Sequence, residues 1–425
     1  MNRTLLRSVG VLAAAALTAA ACSSDDDAGG GDTTAAPPTT AASSTSGDST
    51  ETTTAGSTET TTSGSTETTT GDSTEGSGGG GGAVDLSADC PDPLVIQTDW
   101  FPEAEHGSMF EMVGEGYEID AETKLVRGPL VAGGEETGID IEVRAGGPAI
   151  GEAQTVSAEQ YADDGIHLGY ANTEGQILLY DDTPVLSVVA PLDINPQIIF
   201  WDPETYPDVE TLADLGEQDV TINIFGGGTF ADVFVADGTW NAEQIDPSYD
   251  GSPGRFISED GAIAQQGFAS AEPFTYENVF EEWGKPVAYQ TLHDAGFEVY
   301  SQTLSIVPGQ LETLRPCLEK FVPVVQQAAI DYVNDPDRAN AIIIDAVEQY
   351  DTFWVYDEAL AAYSVETQKE LGFVGNGPDG TLGNMDEERV QGVIDQIREA
   401  GLEVPEDLTV EDLITNEFVD PDIGL

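Results

Sequence analysis

From residue 84 onward, short apolar runs alternate with stretches of helical period. Residues 94–98 read as a buried strand, followed by a loop through residue 107 and a helix over 108–116 that ends at Gly116. Residues 117–138 read as irregular, with Gly128-Pro129 and Gly133-Gly134 as turn signals. A strand over 139–144 runs into Ala145-Gly146-Gly147-Pro148, and a helix is expected over 152–163. Strands over 166–170 and 185–190 flank a helix opened by Asn172-Thr173-Glu174. This β-α-β-α rhythm predicts a mostly parallel sheet with helices on both faces.

The rhythm then restarts. Residues 220–225 read as a strand running into Gly226-Gly227-Gly228-Thr229 and a helix through Ala236, with further strands over 264–269 and 297–301. From residue 311 the pattern is mainly helical, over 317–333, 336–350, 356–371 and 387–400. The expectation is an α/β fold of two lobes and a helical C-terminal part, joined by crossings near 191–198 and 300–307. Lobe 1 takes residues 84–192 and 302–425, and lobe 2 takes 193–301. Ligands of open α/β sheets sit at the carboxyl ends of strands, so the loops converge on one cleft between the lobes.

The first 83 residues obey another logic. Arg3 and Arg7 precede an apolar run over 9–21 that is too short for an ordinary membrane-spanning helix, so residues 1–22 read as a signal peptide. Ala19-Ala20-Ala21-Cys22 fits a bacterial lipobox in which Ala19 replaces the usual Leu; a plain secretory cleavage near Ala21 is the alternative. Lipidation of Cys22 is preferred, because the long polar segment after it makes sense only with an anchor. Residues 23–83 are Ser, Thr, Gly and Glu with almost nothing apolar, and such a segment cannot offset its ordering entropy by burial. As a flexible tether it spans roughly 45 Å on average.

Charge narrows the function further. The chain has 79 acidic and 13 basic residues, a formal net charge of −66. That field repels nucleic acid and anionic lipid. Solubility in a salty habitat is the preferred explanation, ahead of a polycationic partner. Of three cysteines, Cys90 and Cys317 remain once Cys22 is lipidated, and an oxidising compartment lets them pair.

Gln97-Thr98-Asp99-Trp100-Phe101-Pro102 with His106 and Gly107 resembles the opening of the THI5/NMT1-like and SsuA-like substrate-binding proteins of ABC importers. Glu103 and Glu105 occupy this stretch, and the family's usual Asn is missing. Arg144-Ala145-Gly146-Gly147-Pro148, Gly169-Tyr170-Ala171-Asn172-Thr173-Glu174, Ala190-Pro191-Leu192-Asp193 and the run from Gln266 to Phe274 extend the resemblance over residues 94 to about 325. It implies a type II periplasmic-binding-protein fold whose lobes close on a ligand, and it leaves that ligand open.

Each candidate residue has two readings. Trp100 can stack on a ring or plug the lobe's core. His106 can bond a ring nitrogen or pack at a helix start. Gly227, Gly228 and Thr229 open a helix, where free N–H groups hold a carboxylate or phosphate, or they only turn the chain. Asp99, Glu174 and Glu272 leave three strand ends, and carboxylates there suit the N–H edge of an aminopyrimidine. Asn172 and Thr173 touch ligand or cap the following helix. Arg144 is the cation near a strand end, or the partner of a nearby acid. Tyr170, Phe230, Phe274 and Tyr276 line the walls or fill the core.

The favoured function is capture of a small organic nutrient, a thiamine precursor or other nitrogen heterocycle, by a monomer anchored outside the cell for an ABC permease. The alternatives are uptake of a sulfonate or other anion, a sensory or adhesion lipoprotein, and an enzyme like the related pyrimidine synthase. The enzyme is disfavoured: no cysteine cluster is present, and none of the four lysines lies in the cleft loops. No catalytic residue, metal ligand or cofactor is assigned. Replacing the anchoring thiol, Cys22→Ser, is expected to release the protein into the medium. A variant still pelleting with membranes as the parent does would refute the anchor.

Overall fold

The computed structural model describes residues 84–151 and 155–425; the signal peptide, Cys22 and the tether lie outside the described residues. All four residues of β1 (Leu94–Gln97) are buried. A strand covered on both faces has no need of polar alternation, which is why it reads as one apolar run. β2 (Glu118–Asp120), β3 (Leu125–Ala132), β4 (Glu135–Arg144), β5 (Leu168–Ala171) and β6 (Leu186–Val189) come next. The chain then leaves for a second sheet built from β7 (Gln197–Trp201), β8 (Ile222–Asn223), β9 (Ile245–Asp246), β10 (Ala264–Phe268) and β11 (Ala288–Thr291). It returns to the first sheet as β12 (Thr303–Ile306).

The first sheet has the order β2-β3-β4-β1-β5-β12-β6 and the second β11-β7-β10-β8-β9. β1 is parallel to β4 and β5, while β12 inserts antiparallel between β5 and β6. A first lobe completed by the strand that returns from the second is the type II periplasmic-binding-protein fold. Parallel pairing is confined to β4-β1-β5 and β10-β8-β9; the returning strand and the hairpins add antiparallel ladders around these centres.

Residues 117–138, read as irregular, instead carry β2, β3 and the start of β4. Gly133 and Gly134, with φ of 56° and 83°, form the turn between β3 and β4. Gly128-Pro129 is no turn: Pro129 sits beside a register shift in that hairpin, where a residue without an N–H costs no regular ladder bond. The expected strand over 297–301 is absent too. Phe297, Val299 and Tyr300 are apolar because they are buried in packing, not because they pair, and the strand comes later, at β12. The passage between sheets therefore runs over 292–302, earlier than expected.

The helices Leu311–Asn334, Asp337–Tyr350 and Glu358–Glu370 share a core with the first sheet, through Phe321, Val325, Ile343 and Leu360. Helix Glu387–Glu399 does otherwise. Val390, Val393, Ile394 and Ile397 enter the cluster that holds Ile222 and Phe234 of the second unit. The same cluster also holds Ile177 and Ala190 beside the first sheet, so this helix packs between both sheets. From this helix Arg389 reaches both passages between the sheets, with Nη1 3.2 Å from Asp193 Oδ1 and Nη2 donating to the Val299 carbonyl at 3.0 Å.

Cys90 and Cys317 form the expected disulfide, joining the approach to β1 to helix Leu311–Asn334 across 227 positions, with Cα atoms 4.6 Å apart. In the chain-entropy account a loop this long stabilises the fold by about 3–5 kcal/mol. Cys90→Ser with Cys317→Ser is expected to lower the unfolding free energy in denaturant titration by that order, and a loss below about 1 kcal/mol would show that the bridge is incidental.

Candidate functional site

The strand ends deliver their loops as expected. Asp99 and Trp100 follow β1, Asn172 and Glu174 follow β5, and Ser270 and Glu272 follow β10. Together with Asn195 and Gln302 from the two passages, they surround a cavity of about 270 Å³. The linker between helices Asp337–Tyr350 and Glu358–Glu370 adds Phe353, Trp354 and Tyr356.

Among the described residues, five carboxylates line this cavity, Asp99, Glu103, Glu105, Glu174 and Glu272, and no Lys or Arg does. Like charges in a poorly hydrated space cannot all ionise. Burial pushes Glu174 up to about 7, and its Oε2 has no hydrogen-bond partner among the described residues. Burial also lifts Glu272 to about 7, even though it accepts the Phe268 N–H at 2.6 Å. Glu105 is raised by burial and partly held down by the Ser270 hydroxyl, which donates to it across the cleft. Glu103 lies well above the usual range, first through burial and then through the charges of Glu105 and Asp99.

The walls are aromatic. Trp100 meets Phe101, Phe353 and Trp354 edge-on, with centroids 6.1, 6.4 and 6.4 Å apart. Trp354 is fixed by Nε1 donating to the Pro102 carbonyl at 3.1 Å. Phe225 and Tyr249 face the cavity from the second unit as a tilted pair 4.6 Å apart.

The remaining candidates divide. His106 is buried behind Asp99 rather than on the wall, its Nε2 2.8 Å from Asp99 Oδ1. Asn172 lines the cavity while its side chain caps the helix through the Gly175 N–H. Thr173 is buried, donating to the Tyr300 carbonyl and accepting the Tyr300 N–H. It secures the second passage and does not touch the cavity. Gly227, Gly228 and Thr229 do not line this cavity. Gly227 holds φ 86°, and a Cβ on Gly228 would lie 2.8 Å from the Phe230 ring, so the glycines serve the turn. Arg144 is spent on Glu142 and Asp163. Phe230 and Tyr276 are core residues, and Tyr170 packs on the His106 ring. Phe274 lies 5.2 Å from the Tyr363 ring.

Glu103, Glu105, Gln302 and Phe353-Trp354-Tyr356 were not singled out as site residues from sequence. The two glutamates were visible as departures from the family pattern. An apolar run between two helices was the signal for the aromatic linker.

No protein-family model matches the chain, and no curated protein does. Among solved structures, the chain is similar to the periplasmic aliphatic sulphonate-binding protein SsuA from Escherichia coli, at 14% identity and TM-score 0.48, over 77% of this chain and 92% of that one. It is similar to the alkanesulfonate-binding protein SsuA from Xanthomonas axonopodis pv. citri bound to MOPS, at 14% identity and TM-score 0.47, over 77% and 99%. A ligand-binding component of an ABC-type import system from Staphylococcus aureus with zinc bound aligns at 10% identity and TM-score 0.49, over 76% and 97%. Likeness at this distance says nothing about a ligand.

A carboxyl whose pKa rises on folding holds more protons folded than unfolded. Its stabilising share is full below the unfolded pKa and is lost as pH rises through the folded one. With Glu174 and Glu272 near 7, the ligand-free protein is expected to lose stability as pH rises from about 5 to 8. Glu174→Gln with Glu272→Gln should flatten that slope and melt roughly 2 °C or more above the parent at alkaline pH. Thermal unfolding across this range decides it, and parallel slopes for parent and variant would contradict the assignment.

Proposed function

We propose that the chain is an extracytoplasmic solute-binding protein that captures a small organic molecule rich in N–H donors for an ABC permease. The favoured class is a nitrogen heterocycle of the aminopyrimidine type, neutral or protonated. One observation carries this reading: among the described residues, five carboxylates and no Lys or Arg line a cavity walled by aromatic rings. Carboxylates accept N–H bonds, and aromatic faces attract flat rings and cations. A sulfonate in the same place would find neutral amide and hydroxyl donors but five carboxylates and no Lys or Arg among the described lining residues.

In this reading Trp100 stacks on the ring, while Glu174 from the first unit and Glu272 from the second accept its N–H edges. His106 holds Asp99 instead of touching the ligand, and Thr229 has no part. A ligand touching both units stabilises the closed arrangement, and only such differential binding drives closure. The binding step changes no covalent bond. The permease recognises the closed, loaded monomer, and Cys22 keeps it at the outer face of the membrane.

Native mass spectrometry of protein from its own host identifies the ligand. Calorimetry then compares an aminopyrimidine with an alkanesulfonate. Trp100→Ala is expected to weaken the heterocycle by roughly 1–3 kcal/mol, in the range of base–aromatic stacking. Glu272→Gln is expected to weaken a cationic ligand most. Tight binding of the sulfonate, or unaltered heterocycle binding in both folded variants, would overturn the proposal.

A further inference from the structure

We infer that the floor of the cavity is a site for one divalent transition-metal ion, held by Asp99 Oδ1, Glu103 Oε1 and His106 Nε2. The inference rests on first-unit side chains and Gln302 of the second passage, and it stands or falls apart from the reading of the organic ligand.

The three donor atoms all lie within 4.8 Å of one another. His106 Nε2 is 2.8 Å from Asp99 Oδ1 and 3.7 Å from Glu103 Oε1. Donors about 2.0–2.2 Å from a shared ion are separated by about 3.3–3.6 Å at tetrahedral angles, so small side-chain shifts close the shell. Local sequence supplies the convergence. Asp99 stands in the loop leaving β1, Glu103 precedes the short 3₁₀ turn Ala104–His106, and that turn brings His106 back three positions later onto the same side. The imidazole is fully buried, so its ring is already oriented by packing against Tyr170, with centroids 5.2 Å apart.

Gln302 supplies the independent sign of a ligand. It is 6% exposed, its amide reaches Asp99 Oδ1 at 3.3 Å and Glu103 Oε1 at 3.4 Å, and its Oε1 has no partner among the described residues. Turned end for end, the amide presents that orphan oxygen to the same point, as a fourth donor. Its backbone, at φ 52°, holds it there from the second passage.

The donor set selects the ion. One imidazole nitrogen with two carboxylates suits zinc, cobalt or nickel better than magnesium or calcium, which prefer shells of oxygen alone. The ion displaces the proton between His106 Nε2 and Asp99, and that proton leaves to Nδ1 or to solvent. Two of the five carboxylates gain a counter-charge. Because Asp99, Glu103 and Gln302 line the cavity, a further coordination position faces its occupant.

The test uses Co²⁺ alone with the full folded chain, first stripped by a chelator. Visible absorption and equilibrium dialysis are expected to show one saturable equivalent that excess Mg²⁺ does not displace. Glu103→Gln and His106→Gln are each expected to weaken it by about tenfold or more. Circular dichroism confirms that the variants fold, and Glu103→Gln, at a partly exposed position, keeps the test valid if His106→Gln does not. Equal Co²⁺ binding by parent and Glu103→Gln, or binding that never saturates, would mean general attraction to an acidic surface and would overturn the site.

Discussion

Like charge crowded into one small cavity is the constraint on which the site depends. Asp99, Glu103, Glu105, Glu174 and Glu272 share about 270 Å³ with no Lys or Arg among the described lining residues, and only His106 stands behind Asp99 and Glu103. The protein partly relieves the repulsion with neutral donors. The Ser270 hydroxyl meets Glu105, the Phe268 N–H meets Glu272, and the Gln302 amide meets Asp99 and Glu103. Glu174 receives none at Oε2. Protons or positive charge entering such a cavity would relieve the remaining repulsion.

These donors come from parts of the chain far apart in sequence, so the passages between the sheets need fixed positions. Thr173 exchanges two hydrogen bonds with the Tyr300 backbone on the second passage. Arg389 touches the first passage at Asp193 and the second at Val299, with its guanidinium carbon 3.8 Å from the centre of the Tyr300 ring. Across the cleft, the Ser364 hydroxyl donates to the Ser270 carbonyl at 2.7 Å, and Tyr363 reaches the Ala269 carbonyl at 3.1 Å. The same short loop that offers Ser270 to Glu105 is thereby tied to helix Glu358–Glu370.

The central strands and tail helices were legible because burial on both faces, or on one stripe, leaves its period in the sequence. β3 was not: Gly128-Pro129 reads locally as a turn, and only a long partner in β4 makes it a strand. Asp99, Trp100, Glu174 and Glu272, expected at the cleft from the rule that strand ends face it, line the cavity. Glu103 and Glu105 follow the same strand, but their importance lies in sharing a cavity with Glu272, which no local pattern records. The glycine turn shows the complementary case. Its conformation is local and readable, whereas its position outside the cavity depends on the packing of Phe230 and Ile224.

The disulfide has a mechanical consequence. Residue 84 opens the described chain, and Cys90 lies six positions later. A pull on the N-terminus meets the bridge before it reaches β1, and passes through covalent bonds to Cys317 in helix Leu311–Asn334. That helix is embedded in the larger core through Leu318, Phe321 and Val325. The load is therefore spread over the helical scaffold instead of unzipping the central strand one hydrogen bond at a time. The strand that leads to Asp99 and Trp100 thus stays in register under a pull that enters at residue 84.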